Sequence, residues 1–134
     1  AKLYRSREGT ATAVDTKTQL STLGSESAPG PLLVPAGAKM LKAVIFVIAS
    51  NFAVATDGAA LIRLEGPGLP EGPETIAAGA AGVAVATGGH GSFLARRVEL
   101  DIPVTPANEI LVFGENVGED FGEVTMGVTL EFIV

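Results

Sequence analysis

Few side chains in this sequence can do chemistry, and their spacing suits it poorly. The 134-residue chain holds one histidine and no cysteine. That histidine, His90, sits in Gly88-Gly89-His90-Gly91, a turn too free to fix a general base, and it has no second histidine with which to hold a metal. Ser92 follows closely, but no Gly-x-Ser-x-Gly elbow surrounds it. The glycines form neither a dinucleotide fingerprint nor a phosphate-binding loop ending in Lys-Ser/Thr. Glu115, Glu119, Asp120 and Glu123 make the one carboxylate cluster. Such oxygens can hold Ca2+, but the spacing is not that of an EF-hand loop, and acidic hairpin tips also serve solubility. Carboxylates paired for glycoside hydrolysis would want aromatic platforms for the sugar, and the chain has no Trp and a single Tyr, Tyr4. The expectation is a non-enzyme with no catalytic residue, no cofactor and no bound metal, whose melting temperature EDTA leaves unchanged.

A second group is basic. Lys2, Arg5 and Arg7 alternate with Leu3 and Tyr4 at the start of the chain. The segment reads either as a disordered tail or as an arm, residues 1–9, that reaches onto a neighbouring subunit. In the second reading Leu3 and Tyr4 are anchors, and Arg5 and Arg7 pair with acidic surface. The net charge is −6, unevenly placed: nine basic and seven acidic residues up to Arg97, then eight acidic and no basic ones from Val98 on. This skew disfavours specific nucleic-acid binding. It permits attraction between the basic start of one copy and the acidic C-terminal part of another.

The elements that must position these groups are strands. In residues 123–134 the positions 124, 126, 128, 130, 132 and 134 are Val, Met, Val, Leu, Phe and Val, a period of two that predicts a long strand with one buried face. Residues 92–102 predict another, with Leu94, Val98, Leu100 and Ile102 on one face beside Arg96, and Ala95, Arg97, Glu99 and Asp101 on the other, limited by Pro103. Residues 109–115 and 59–65 predict short strands, the latter entered by the turn Asp57-Gly58. Residues 39–50, apolar without a break from 43 to 49, read as a strand buried on both faces. Residues 10–23 suit an edge strand, and 75–86, rich in Ala and Gly, read as two short strands around a bend. The segments 25–31, 66–73, 88–91 and 106–108 are turns by their Gly, Pro and Asn.

Composition agrees. Apolar residues make up 47%, aromatic ones 5% and charged ones 18%, with 17 Gly and 8 Pro, which favours strands and turns over helices. The longest apolar run, residues 43–49, is far short of the roughly 18–20 that a spanning helix needs, so no transmembrane segment is expected. The expected architecture is an all-β, antiparallel β-sandwich, a jelly roll of about eight strands over residues 10–134, preceded by the basic arm at 1–9.

The short basic arm from Lys2 to Arg7, the eight or so strands, the Gly/Pro-rich loops, Leu33-Val34-Pro35-Ala36-Gly37 ahead of a central apolar strand and the long closing strand 123–134 together resemble the small single jelly-roll capsid proteins of icosahedral viruses. That resemblance implies a self-assembling structural protein that tiles or decorates a shell. Its partners would be copies of itself and other shell proteins, its self-association residues Leu3, Tyr4, Arg5 and Arg7, and its location the virion. The alternative is a binding module, a trimeric jelly roll of the C1q or tumour-necrosis-factor type or a lectin-like domain, secreted or cytoplasmic. The scarcity of Trp and Tyr counts against a lectin.

Overall fold

The computed structural model describes residues 1–11, 16–21, 30–50, 59–67, 69, 92–117 and 124–134. They form eight strands: β1 (Lys2–Ala11), β2 (Lys17–Gln19), β3 (Leu32–Leu33), β4 (Met40–Ser50), β5 (Ala59–Glu65), β6 (Ser92–Pro103), β7 (Glu109–Val117) and β8 (Val124–Ile133). All pairings are antiparallel. One sheet has the order β1-β8-β4-β6; in the other, β7 pairs with β2, β3 and β5. From β3 onward every connection changes sheet, and the first and last strands lie side by side. This is the winding of a jelly-roll sandwich, as the strand spacing predicts.

The alternation in β8 explains its place. Met126, Val128, Leu130 and Phe132 are buried, while Thr125, Gly127, Thr129 and Ile133 face outward; the side chain of Val124 lies outside the description. A single cluster holds the two sheets together. The β8–β4 sheet contributes Leu41, Val44, Phe46, Met126, Val128, Leu130 and Phe132, and the β7 sheet with its margins contributes Leu20, Leu32, Ile62, Leu64, Ile110 and Val112. β8 sits between β1 and β4, so Phe132 is flanked by Leu3 on one side and Leu41 on the other. The sheets pack tightly at Gly114, where an added Cβ would collide with the sulfur of Met126.

Two expectations change. β4 is not buried on both faces: Val44 and Phe46 enter the core, whereas Ile45 is half-buried and Val47 is 39% exposed. An antiparallel sheet packed on one side leaves its other face to solvent, even where the sequence is apolar from 43 to 49. Nor do residues 1–9 project as an arm. Lys2 to Ala11 pair residue by residue with Ile133 to Val124, so the start of the chain is an edge strand of the domain. The bend at 75–86, the loop histidine His90 and the acidic positions Glu119, Asp120 and Glu123 lie outside the described residues.

The turns follow their residues. Gly37 adopts φ 81°, a conformation that costs glycine little, and the Ala38 N–H donates to the Pro35 carbonyl at 3.1 Å. A Cβ at Gly66, just past β5, would run into the backbone carbonyl of Glu109, whereas one at Gly127 would meet nothing within 4 Å. Gly66→Ala should therefore lose about 1–3 kcal/mol, because backbone must move to admit the methyl. Gly127→Ala should lose nothing, since glycine inside a strand is itself unfavourable. Thermal melts of the two variants check this: equal midpoints would contradict the close approach at Gly66.

Candidate functional site

The charged residues gather on the outer face and free edge of the β1-β8-β4-β6 sheet. On β8, Glu131 points outward yet is only 1% exposed. It lies opposite Tyr4 on β1 and Ala43 on β4. The Tyr4 hydroxyl donates to its Oε1 at 3.0 Å, and Lys2 Nζ lies 3.4 Å from the same oxygen. Arg97, two strands away on β6, donates to Oε2. The small side chain of Ala43 between them leaves room for the guanidinium to cross β4. Buried beneath three partners, Glu131 has its pKa held down at about 2, chiefly by the hydrogen bond from Arg97, with burial opposing and Tyr4 assisting. A carboxylate so held is a poor proton acceptor at neutral pH.

The network continues across the sheet. Arg97 also donates to Glu99 at 2.6 Å, which lowers the Glu99 pKa. Lys42 Nζ lies 2.6 Å from Asp101 and 3.6 Å from Glu99, and its pKa is raised, first by its bond to Asp101. Asp101 reaches Lys42 from a left-handed backbone at φ 54°, where the register between β4 and β6 shifts. Toward the other end of the face, Ser6 and Thr129 share a hydroxyl–hydroxyl bond at 2.8 Å. A depression of about 200 Å³ lies there, lined in part by Ile45, Val47, Gly127 and Thr129.

The edge of β1 has a different character. Leu3 packs against the core, and the guanidiniums of Arg5 and Arg7 fold back on their own strand. Arg5 donates to the Tyr4 carbonyl at 2.8 Å and Arg7 to the Ser6 carbonyl at 2.8 Å; Arg7 also donates to Pro31 at 3.3 Å. The Nε of Arg7 is buried and has no partner, and burial lowers its pKa. Glu8 closes the far part of this edge by exchanging backbone bonds with Ser21, at 2.9 and 2.7 Å.

On the second sheet, Glu115 is a buried β7 residue paired with Arg63 of β5, not a member of an acidic tip. This removes one carboxylate from the cluster considered as a cation site. Among the described residues no group of three or more His, Cys, Asp or Glu is placed to hold a metal. An open depression of about 390 Å³ lies beyond the end of β5, lined by Glu65, Pro67, Ala107, Glu109 and Leu111 among others.

Of the four residues expected to mediate self-association, the fold places all on β1 but divides them. Leu3 faces the core, Tyr4 the outer face, and Arg5 and Arg7 the edge. Glu131, Arg97, Lys42 and Asp101 were not singled out by sequence. The one local signal is an acid, Glu131, at an outward position among the Thr and Gly of the closing strand.

No family profile matches this chain, and no curated protein does. Among solved structures it is similar to the PRD1 vertex protein P5, over 96% of this chain and 96% of that one, with 11% sequence identity and a TM-score of 0.42.

Proposed function

We propose that this chain is a structural subunit that assembles with copies of itself, and with other shell proteins, as a capsid or capsid-decorating protein of a virion. The observation that supports this reading is the bracing of the four-stranded face. Lys2 and Tyr4 from β1, Glu131 from β8, Lys42 from β4, and Arg97, Glu99 and Asp101 from β6 bond to one another across all four strands. Their charges stiffen a broad sheet and are not converged on a cleft where a substrate would react. A broad face braced in this way, with exposed apolar side chains such as Val47, suits repeated contact with identical neighbours.

The purified chain, followed by sedimentation velocity and negative-stain microscopy across micromolar concentrations, is expected to form discrete oligomers or regular particles. A monomer at every concentration would end this reading.

A further inference from the structure

We propose that the free edge of β1 is a carboxylate-binding contact, in which Arg5 and Arg7 receive acidic side chains from the C-terminal third of a second copy of this chain. The inference rests on the self-assembly reading above and names the chemistry of one contact within it.

The edge is closed to the simpler kind of contact. Alternate residues of a strand turn their backbone groups to the same side. Glu8 turns its N–H and C=O to Ser21, away from β8, so Lys2, Tyr4 and Ser6 present theirs on that same edge. A strand adding there would need the carbonyls of Tyr4 and Ser6. Arg5 and Arg7 already donate to both, so an added strand would have to share or displace them. Charged side chains on an edge strand are a common bar to strand addition, so a neighbour must meet the side chains here.

Among the described residues no carboxylate pairs with those side chains. Lys2, Lys42, Arg63 and Arg97 are each paired with a carboxylate; among the described residues Arg5, Arg7 and the distant Lys39 are not, and only the two arginines lie side by side on one strand edge. A guanidinium carries five N–H donors. Arg5 uses one on Tyr4, and Arg7 uses two, on Ser6 and Pro31; the Arg7 Nε is buried, so its donors to spare are on the terminal nitrogens. Two adjacent forks with donors to spare match the planar geometry of carboxylates.

The chain itself supplies the occupant. Its net charge is −6, and from Val98 onward it has eight acidic and no basic residues. Of these, Glu109 is exposed at the start of β7. Glu8, nearer by in sequence, is on the opposite face of β1 from the two arginines.

Deleting residues 1–9 would remove most of β1 and test the fold, so substitution is the sharper experiment. The full chain and its R5Q/R7Q and R5K/R7K variants are compared by sedimentation velocity at low and high salt, with thermal melts as the control. The expected result is assembly of the parent that weakens as salt rises. R5Q/R7Q should associate at least about tenfold more weakly, with R5K/R7K between them because lysine keeps the charge but not the fork. Should R5Q/R7Q fail to fold, the lysine variant and the salt titration of the parent decide, and salt-insensitive assembly overturns the proposal. Equal assembly of parent and R5Q/R7Q overturns it while leaving the structural reading intact. A parent that is monomeric throughout removes both. Salt-insensitive, open-ended aggregates of R5Q/R7Q would mean that the arginines only shield the edge, and assembly that needs added DNA would put a polyanion there; either outcome overturns the proposal.

Discussion

Phe132→Ala is expected to cost about 3–5 kcal/mol, the range for deleting a large aromatic from a core that cannot collapse around the gap. Phe132 has no exposed surface. Its strand is interior to the sheet, with Leu3 and Leu41 as its lateral neighbours, and it belongs to the cluster that joins both sheets. Neither neighbouring strand can shift inward without breaking its register with β8. Against a total stability of about 5–15 kcal/mol for a domain of this size, the loss is a large fraction. Urea denaturation should show the midpoint falling by about 2 M with an unchanged slope. Phe132→Leu, which keeps most of the volume, should lose far less. A loss below about 1 kcal/mol in the alanine variant would mean that β8 does not carry the core as described.

Glu131→Gln is the second large effect, expected to cost about 1–3 kcal/mol at neutral pH, the range for bonds to a charged group. The amide sets an N–H2 group among the donors Arg97, Tyr4 and Lys2, and it removes the charge that holds them. The loss should depend on pH in a defined direction. The Glu131 carboxyl is lowered from its ordinary 4.5 to about 2 in the folded protein. Its contribution is thus fully present above the unfolded value and is lost as pH falls from about 4.5 through about 2. Parent and variant should therefore differ most at neutral pH and converge toward pH 2. Glu99, also lowered by Arg97, adds to the acid sensitivity of both proteins and leaves their difference unaffected to first order. A difference that stays constant from pH 7 to pH 2.5 would show that the ionised carboxylate is not its source. Lys2 and Arg97 are partly exposed and can turn to water, which keeps the cost below that of stranding a fully buried charge.

These two neighbours on one strand differ in how far sequence alone reveals them. Phe132 was legible because it stands in a run of alternate apolar residues from Met126 on, and strand periodicity is a local property. Glu131 was visible only as an outward position. Its burial depends on Lys2 and Tyr4, which lie at the other end of the chain, and on Arg97 reaching over Ala43 from β6. None of these is implied by spacing within β8. The same holds for Glu115, which as part of an acidic run suggested a loop. Its partner, Arg63, becomes its neighbour only when β5 lies beside β7.

β1 was the element most easily misread. Its inward positions are Leu3, Arg5, Arg7 and Gly9, so two arginines stand where an amphipathic strand would carry apolar side chains, and the alternation that marked β8 is missing. A basic arm was the natural reading of that pattern. At the edge of the sandwich, however, inward-facing side chains can bend out over the rim, and both guanidiniums do so to reach the strand's own carbonyls.

By itself, then, the sequence determined the all-β class, the bounds of β4 to β8 to within a residue or two, the core face of β8 and the turn at residues 106–108. All of these depend on short-range rules of alternation and backbone freedom. Tertiary structure alone decided which strands are neighbours, that the start of the chain pairs with its end, that β4 shows one face to solvent, and that Glu131 and Arg97 meet. Those outcomes depend on the order of strands in a sheet, and strand order is set by packing between segments many residues apart, which no local pattern encodes.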